Sequence, residues 1–116
     1  MSKLDLTRIR EILMDEQIAL AADIQNEEDK LQQRTEENPD LSDLADKHLH
    51  QEIVVSRLSL MNQRLTQVRA ALKRLDEGKY GICARCGNEI NPERLKAIPY
   101  TALCVNCQER FERANR

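Results

Sequence analysis

Residues 54–75 read VVSRLSLMNQRLTQVRAALKRL, and within them Val54, Leu58, Met61, Leu65, Val68, Leu72 and Leu75 recur at alternating steps of three and four. That spacing keeps one apolar stripe on one side of a helix and makes the seam of a coiled coil. A partner stripe lies upstream. Leu6, Leu13 and Leu20 repeat every seven residues, with Ile9, Ile24 and Leu31 supplying a second row. Gln17 and Glu27 occupy weaker steps of that stripe, so looser packing is expected there. Between the stripes stands Asn38-Pro39. Proline disfavours helix at the residue before it and has no N–H for an interior helix bond. A hairpin turn is therefore expected near residues 37–40, between arms of ~30 residues that would each run roughly 45 Å. Leucine and methionine stripes at this spacing are core, not a cofactor pocket.

Charge follows the same division. From Glu11 to Asp46 there are twelve acids and two bases, Lys30 and Arg34; from Lys47 to Leu75 there are six bases and one acid, Glu52. An acidic arm followed by a basic arm suits antiparallel pairing and disfavours parallel pairing of like arms. The chain has 116 residues, a third of them charged, and its aromatics are Tyr80, Tyr100 and Phe111. That composition favours helix pairs with narrow seams over a thick core, and a small domain of this kind gains from a metal staple. No apolar run approaches membrane-spanning length, and the first residues carry Asp5, Arg8, Arg10 and Glu11 rather than a leader's apolar run. A cytoplasmic protein is expected.

The four cysteines stand as Cys83-x-x-Cys86 and Cys104-x-x-Cys107, with 17 residues between the hooks. This is the spacing of a closed four-thiolate zinc site, one structural ion with no open position for catalysis. A pair of redox dithiols is the rival reading, but two hooks at ribbon spacing and no fifth cysteine favour the metal. Gly78 is placed to cap the end of the second helix, and glycines around the hooks let backbone amides turn toward sulfur. Asn91-Pro92 has the form of a cap with proline at the first helical position, Ile98-Pro99 stops that turn, and a terminal helix is expected from about 105. The chain thus divides into a coiled-coil hairpin, 1–77, with its tip near 37–45, and a zinc-finger region, 78–116. His48 and His50, two apart on a helix, point in different directions and are read as ordinary surface or seam histidines.

At the tip, Glu36, Glu37, Asp40, Asp43 and Asp46 fall with no base between Arg34 and Lys47. Asp40 and Asp43 suit the cap and first turn of the second helix, where the helix dipole favours carboxylates. They could also approach a metal ion or a basic partner surface from the end of the hairpin. No nucleophile with an adjacent base is visible, so the chain is not read as an enzyme. Two non-enzymatic readings stay open from the residues: a zinc-ribbon nucleic-acid-binding module, supported only by a mildly basic C-terminal third, and a structural adaptor. The acidic arm and the lack of an aromatic stacking platform count against the first.

Asp40-Leu-Ser-Asp43-Leu-Ala45 resembles the D-x-x-D-x-A coiled-coil tip of the DksA/TraR family of RNA polymerase regulators. Gly81-Ile-Cys83-Ala-Arg-Cys86-Gly87, then Arg94-Leu95-x-Ala97-x-Pro99 and Cys104-Val-Asn-Cys107, is similar to that family's zinc region. The resemblance runs from about Pro39 to the terminal helix. It implies a mainly α fold: a long antiparallel helical hairpin on a small four-cysteine zinc base with a short C-terminal helix. It further implies a monomeric partner of RNA polymerase whose coiled coil enters the secondary channel and modulates initiation without reading DNA sequence. By the same resemblance Asp40 and Asp43 would be the effector residues and Ala45 would shape the tip. Cys83, Cys86, Cys104 and Cys107 would hold zinc, and the terminal helix would meet the polymerase rim. Where family members that respond to guanosine tetraphosphate (ppGpp) supply bases, this chain has Gln67, Ile98 and Gln108, while Arg94 survives as a phosphate or polymerase contact. Losing several cations weakens polyanion binding, so a weak or absent ppGpp response is expected.

Overall fold

The computed structural model describes residues 3–36 and 44–115, with side chains for 5–32 and 47–115. Four helices follow in order: α1, Lys3–Glu36; α2, Leu44–Asp76; α3, Pro92–Ala97; and α4, Val105–Ala114. Among the described residues there is no β-strand, only an isolated antiparallel bridge between Ile82 and Glu89. No helix there is long and apolar enough to cross a membrane. The chain packs as two compact units, one spanning 17–66 and the other joining residues 1–16 to 67–116.

In the 17–66 unit α1 and α2 run antiparallel. Glu27 on α1 meets Arg57 on α2, while Lys30 and Leu31, further along α1, share a cavity with His50 and Val54, further back on α2. The seam forms as its spacing dictates. Ile24, Val54 and Leu65 are buried, and Leu20, Leu31, Leu58 and Met61 are half-buried. Looser packing at Glu27 takes the form of that cavity, about 170 Å³, lined by Glu27, Lys30, Leu31, His50, Val54 and Arg57. Gln17 is half-buried.

The second unit holds the better-filled core. Leu13, Val68 and Ala71 are fully enclosed, and Leu72, Tyr80, Ile90 and Leu95 are buried with them. Full burial of a side chain such as Leu13, Val68 or Leu95 stabilises by about 1.5–3 kcal/mol. Arg10 on α1 pairs with Asp76 on α2 at 2.6 Å. Leu6 shares a groove with Tyr80, Ile90, Pro92 and Leu95, so the start of α1 faces the zinc region.

The end of α2 is a complete Schellman motif. The Lys79 N–H donates to the Arg74 carbonyl at 2.8 Å, and the Gly78 N–H to Leu75 at 3.2 Å. Gly78 sits at φ +72°, the left-handed conformation this cap requires and glycine adopts without penalty. Arg74 also donates through Nη2 to the Ile82 carbonyl at 3.2 Å, tying the last turn of α2 to the strand-like segment beyond. Asn91 caps α3, its side chain accepting from the Glu93 N–H at 3.0 Å, with Pro92 next as expected.

Candidate metal centre

Four thiols converge where the two hooks meet. The Sγ atoms of Cys83, Cys86, Cys104 and Cys107 all lie within 4.8 Å of one another, and those of Cys86 and Cys104 are 3.8 Å apart. None forms a disulfide. A tetrahedral zinc with Zn–S bonds of ~2.3 Å places its sulfurs ~3.8 Å apart. The cluster fits one zinc ion, and among the described residues no other group of three or more His, Cys, Asp or Glu side chains is arranged to hold a metal.

Each hook is shaped differently. The first is a tight knuckle: Cys83 N–H donates to Asn88 O at 2.8 Å, and Gly87 N–H to Cys83 O at 3.0 Å. Ile90 N–H closes onto Gly81 O at 2.7 Å. Gly81 and Gly87, at φ +85° and +77°, supply the left-handed turns. The second hook contains no glycine. Cys104, in extended backbone, is the N-cap residue of α4, and Cys107 lies in its first turn, so a helix N-terminus replaces the glycine turn. The Ala84 N–H donates to Ala102 O at 2.8 Å and joins the two hooks.

The surroundings treat Cys83 and Cys107 in opposite ways. Burial works against charge on Cys83, but amides of Cys86, Cys104 and Arg85 aimed at its sulfur outweigh it and bring its pKa down to about 6. Cys107 is pushed up to about 12, chiefly by sharing hydrogen with Cys104 and then by burial. Four neighbouring thiols cannot all ionise without a compensating charge. A divalent cation supplies that charge, and coordination deprotonates the thiols outright.

The base around the cluster is cross-tied by side chains. Tyr80 Oη donates to the Pro99 carbonyl at 2.7 Å. The Leu103 carbonyl, next to Cys104, accepts from Arg94 Nε and from Thr101 Oγ1, each at 3.0 Å. Arg94 therefore holds the approach to the second hook, a structural role that its place in the sequence did not reveal.

Of the other residues singled out from sequence, Asp40 and Asp43 lie outside the described residues. Ala45 falls in the first turn of α2, its side chain outside the described set. Gln67 is exposed on α2, Ile98 is the half-buried C-cap of α3, and Gln108 on α4 donates to Glu112 at 3.2 Å. His48 is exposed and meets Glu52 at 3.1 Å. Sequence reasoning marked Glu27 only as a weak seam position. It missed Arg57, which gives Glu27 its partner from the other helix.

Comparison with known proteins agrees with this architecture. The family described as prokaryotic dksA/traR C4-type zinc finger matches residues 78–113. The RNA polymerase-binding transcription factor DksA of Caulobacter vibrioides is 33% identical over 86 residues, 74% of this chain, which spans about three-fifths (61%) of that factor's length. Transcription factor DksA2 of Pseudomonas aeruginosa has a TM-score of 0.85 at 27% identity, covering 99% of this chain and 88% of its own. The DnaK suppressor protein of Agrobacterium tumefaciens is 31% identical with a TM-score of 0.63, covering 94% of this chain and 96% of its own.

Proposed function

Because this chain belongs to the DksA/TraR family of C4-type zinc finger proteins, we propose that it is a transcription regulator that binds RNA polymerase directly. In this reading the hairpin enters the polymerase secondary channel and modulates initiation through its acidic tip, and the protein works as a cytoplasmic monomer. The supporting observation is the breadth of the likeness: the fold of DksA2 is matched over 99% of the chain, hairpin and zinc base together. A bare zinc ribbon with DNA-binding duties has no use for 34- and 33-residue arms, one of them strongly acidic. Zinc has a structural task here: it holds residues 78–115 together at the foot of α1 and α2.

Asp40 and Asp43 act at the working end, and Ala45 helps to shape the tip. Arg94 adds a polymerase or phosphate contact through the part of its guanidinium not used on Leu103. ppGpp is held weakly or not at all, because Gln67, Ile98 and Gln108 offer no cation where family members that answer to it supply bases.

Transcription with purified polymerase at a promoter sensitive to such factors tests this. Asp40→Asn and Asp43→Asn are expected to bind polymerase as the parent does while losing at least tenfold of the regulatory effect. The parent's effect should be the same with and without ppGpp on a polymerase lacking its other site for that nucleotide. Full activity in both variants would overturn the tip mechanism, and clear enhancement by ppGpp would overturn the argument from the three uncharged positions.

A further inference from the structure

The arms of this hairpin are zipped by a seam of leucine, isoleucine, valine and methionine, and such a seam does not by itself define its alignment. A slip of one helical turn re-forms similar apolar layers, since every third or fourth residue is again apolar. Within the 17–66 unit one seam position breaks this degeneracy. Glu27 stands where the repeat of Leu6, Leu13 and Leu20 calls for another leucine, and its side chain is only 15% exposed. Arg57 reaches it from the facing helix at 3.5 Å, and Lys30 covers it from its own helix at 3.9 Å.

We infer that the Glu27–Arg57 pair is the register lock of the hairpin, the positioning contact that decides which residues form its tip. The argument is one of substitution by sliding. Moving α2 by three or four residues in either direction replaces Arg57 opposite Glu27 with Ile53, Val54, Leu60 or Met61. Each of those alignments removes the cation that the facing helix supplies and leaves the carboxylate, 15% exposed, with Lys30 of its own helix alone and an apolar side chain opposite, which disfavours the slip. A slip by a whole heptad would offer Arg64 in one direction or His50 in the other, but either would also carry Asp76 two turns away from Arg10, the partner it holds at 2.6 Å. The native alignment satisfies both carboxylates. A polar group at a core position that fixes alignment at some cost in stability is an established use of such residues. The cavity of about 170 Å³ lined by Glu27 and Arg57 lies at this position.

The inference rests on the proposed function only in its consequence: a slip transfers residues between the arms and the connection, and so displaces Asp40 and Asp43. The test measures alignment and activity separately. Spin labels carried on noncanonical ketone residues at the exposed positions 19 and 56, which spare the zinc cysteines and stand well apart along the hairpin, report how one arm is aligned on the other. The parent should give one distance. Glu27→Leu should keep or raise the thermal midpoint while adding a second distance population displaced by about 4 Å, most of the ~5.4 Å rise of one helical turn. Arg57→Leu alone should lower the midpoint, and Glu27→Leu/Arg57→Leu together should restore it with both populations present. A single parental distance in Glu27→Leu and in the double variant would overturn the register lock, whatever the transcription result. Split distances with transcription unaffected by both Glu27→Leu and Asp43→Asn would keep the lock and reject the tip mechanism. Split distances with full activity in Glu27→Leu, but loss in Asp43→Asn, would overturn the lock's role in positioning the tip.

Discussion

Tyr80 shows how a single side chain joins two chemistries in this protein. The residue is 9% exposed, among the buried residues of the zinc region, and its hydroxyl donates to Pro99 O. Burial raises its pKa to about 12, with Arg74 pulling modestly the other way. The neutral phenol is therefore the folded form, whereas an unfolded tyrosine ionises near pH 10. Its contribution to stability is intact below pH ~10 and is lost as pH climbs from 10 through 12. A phenolate absorbance titration should show one tyrosine ionising about two pH units late, and Tyr80→Phe should remove that late step and cost ~1 kcal/mol for the lost hydrogen bond. An early, complete phenolate transition in the folded parent would contradict this. None of it was legible beforehand: Tyr80 and Pro99 are 19 residues apart, and no local rule pairs them. Gly78 and Asn91 were legible because caps are local, written in a residue and its next few neighbours.

Among the elements, the seam of α2 was readable almost residue by residue. The spacing of Val54, Leu58, Met61, Leu65, Val68, Leu72 and Leu75 predicted a stripe, and all seven are buried or half-buried. Periodicity also separates residues that look alike in composition. Leu13 is fully enclosed, whereas Leu60, off the stripe, is 67% exposed. Leu13→Ala should lose about 2–5 kcal/mol in denaturant unfolding, and Leu60→Ala should stay within ~0.5 kcal/mol. Equal losses would mean that α1 and α2 do not pack along the stripe. What periodicity could not supply was the partner of Glu27. A heptad reading scores a carboxylate in the seam as a defect, and only contact with Arg57, 30 residues on, turns it into a specific feature. The second zinc hook was more legible, since the helix expected from about 105 is the one whose N-terminus, in place of a glycine, supplies its turn.

At the scale of the whole molecule, one compact unit contains the four-cysteine cluster and the other, 17–66, contains none of its ligands. Structural zinc contributes about 10–16 kcal/mol of apparent binding energy. Chelation should collapse the dispersed amide signals of residues 78–115 while helical signals from 17–32 and 47–66 persist, and it should proceed more readily at lower pH, where protons compete for the thiolates. An unchanged amide spectrum for 78–115 after verified zinc loss would contradict this. The cysteine hooks announced their own meeting through spacing. The membership of residues 1–16 in the same compact unit as the zinc region had no such marker, since it rests on ordinary contacts such as Leu6 beside Tyr80 and Ile90. That membership has a consequence for birth on the ribosome. Residues 17–66 are contiguous, so their helices find each other as soon as both have been synthesised. The first sixteen residues must wait until residue 67 and those after it emerge, and the zinc hooks close only after that. The chain's beginning is finished only by its end.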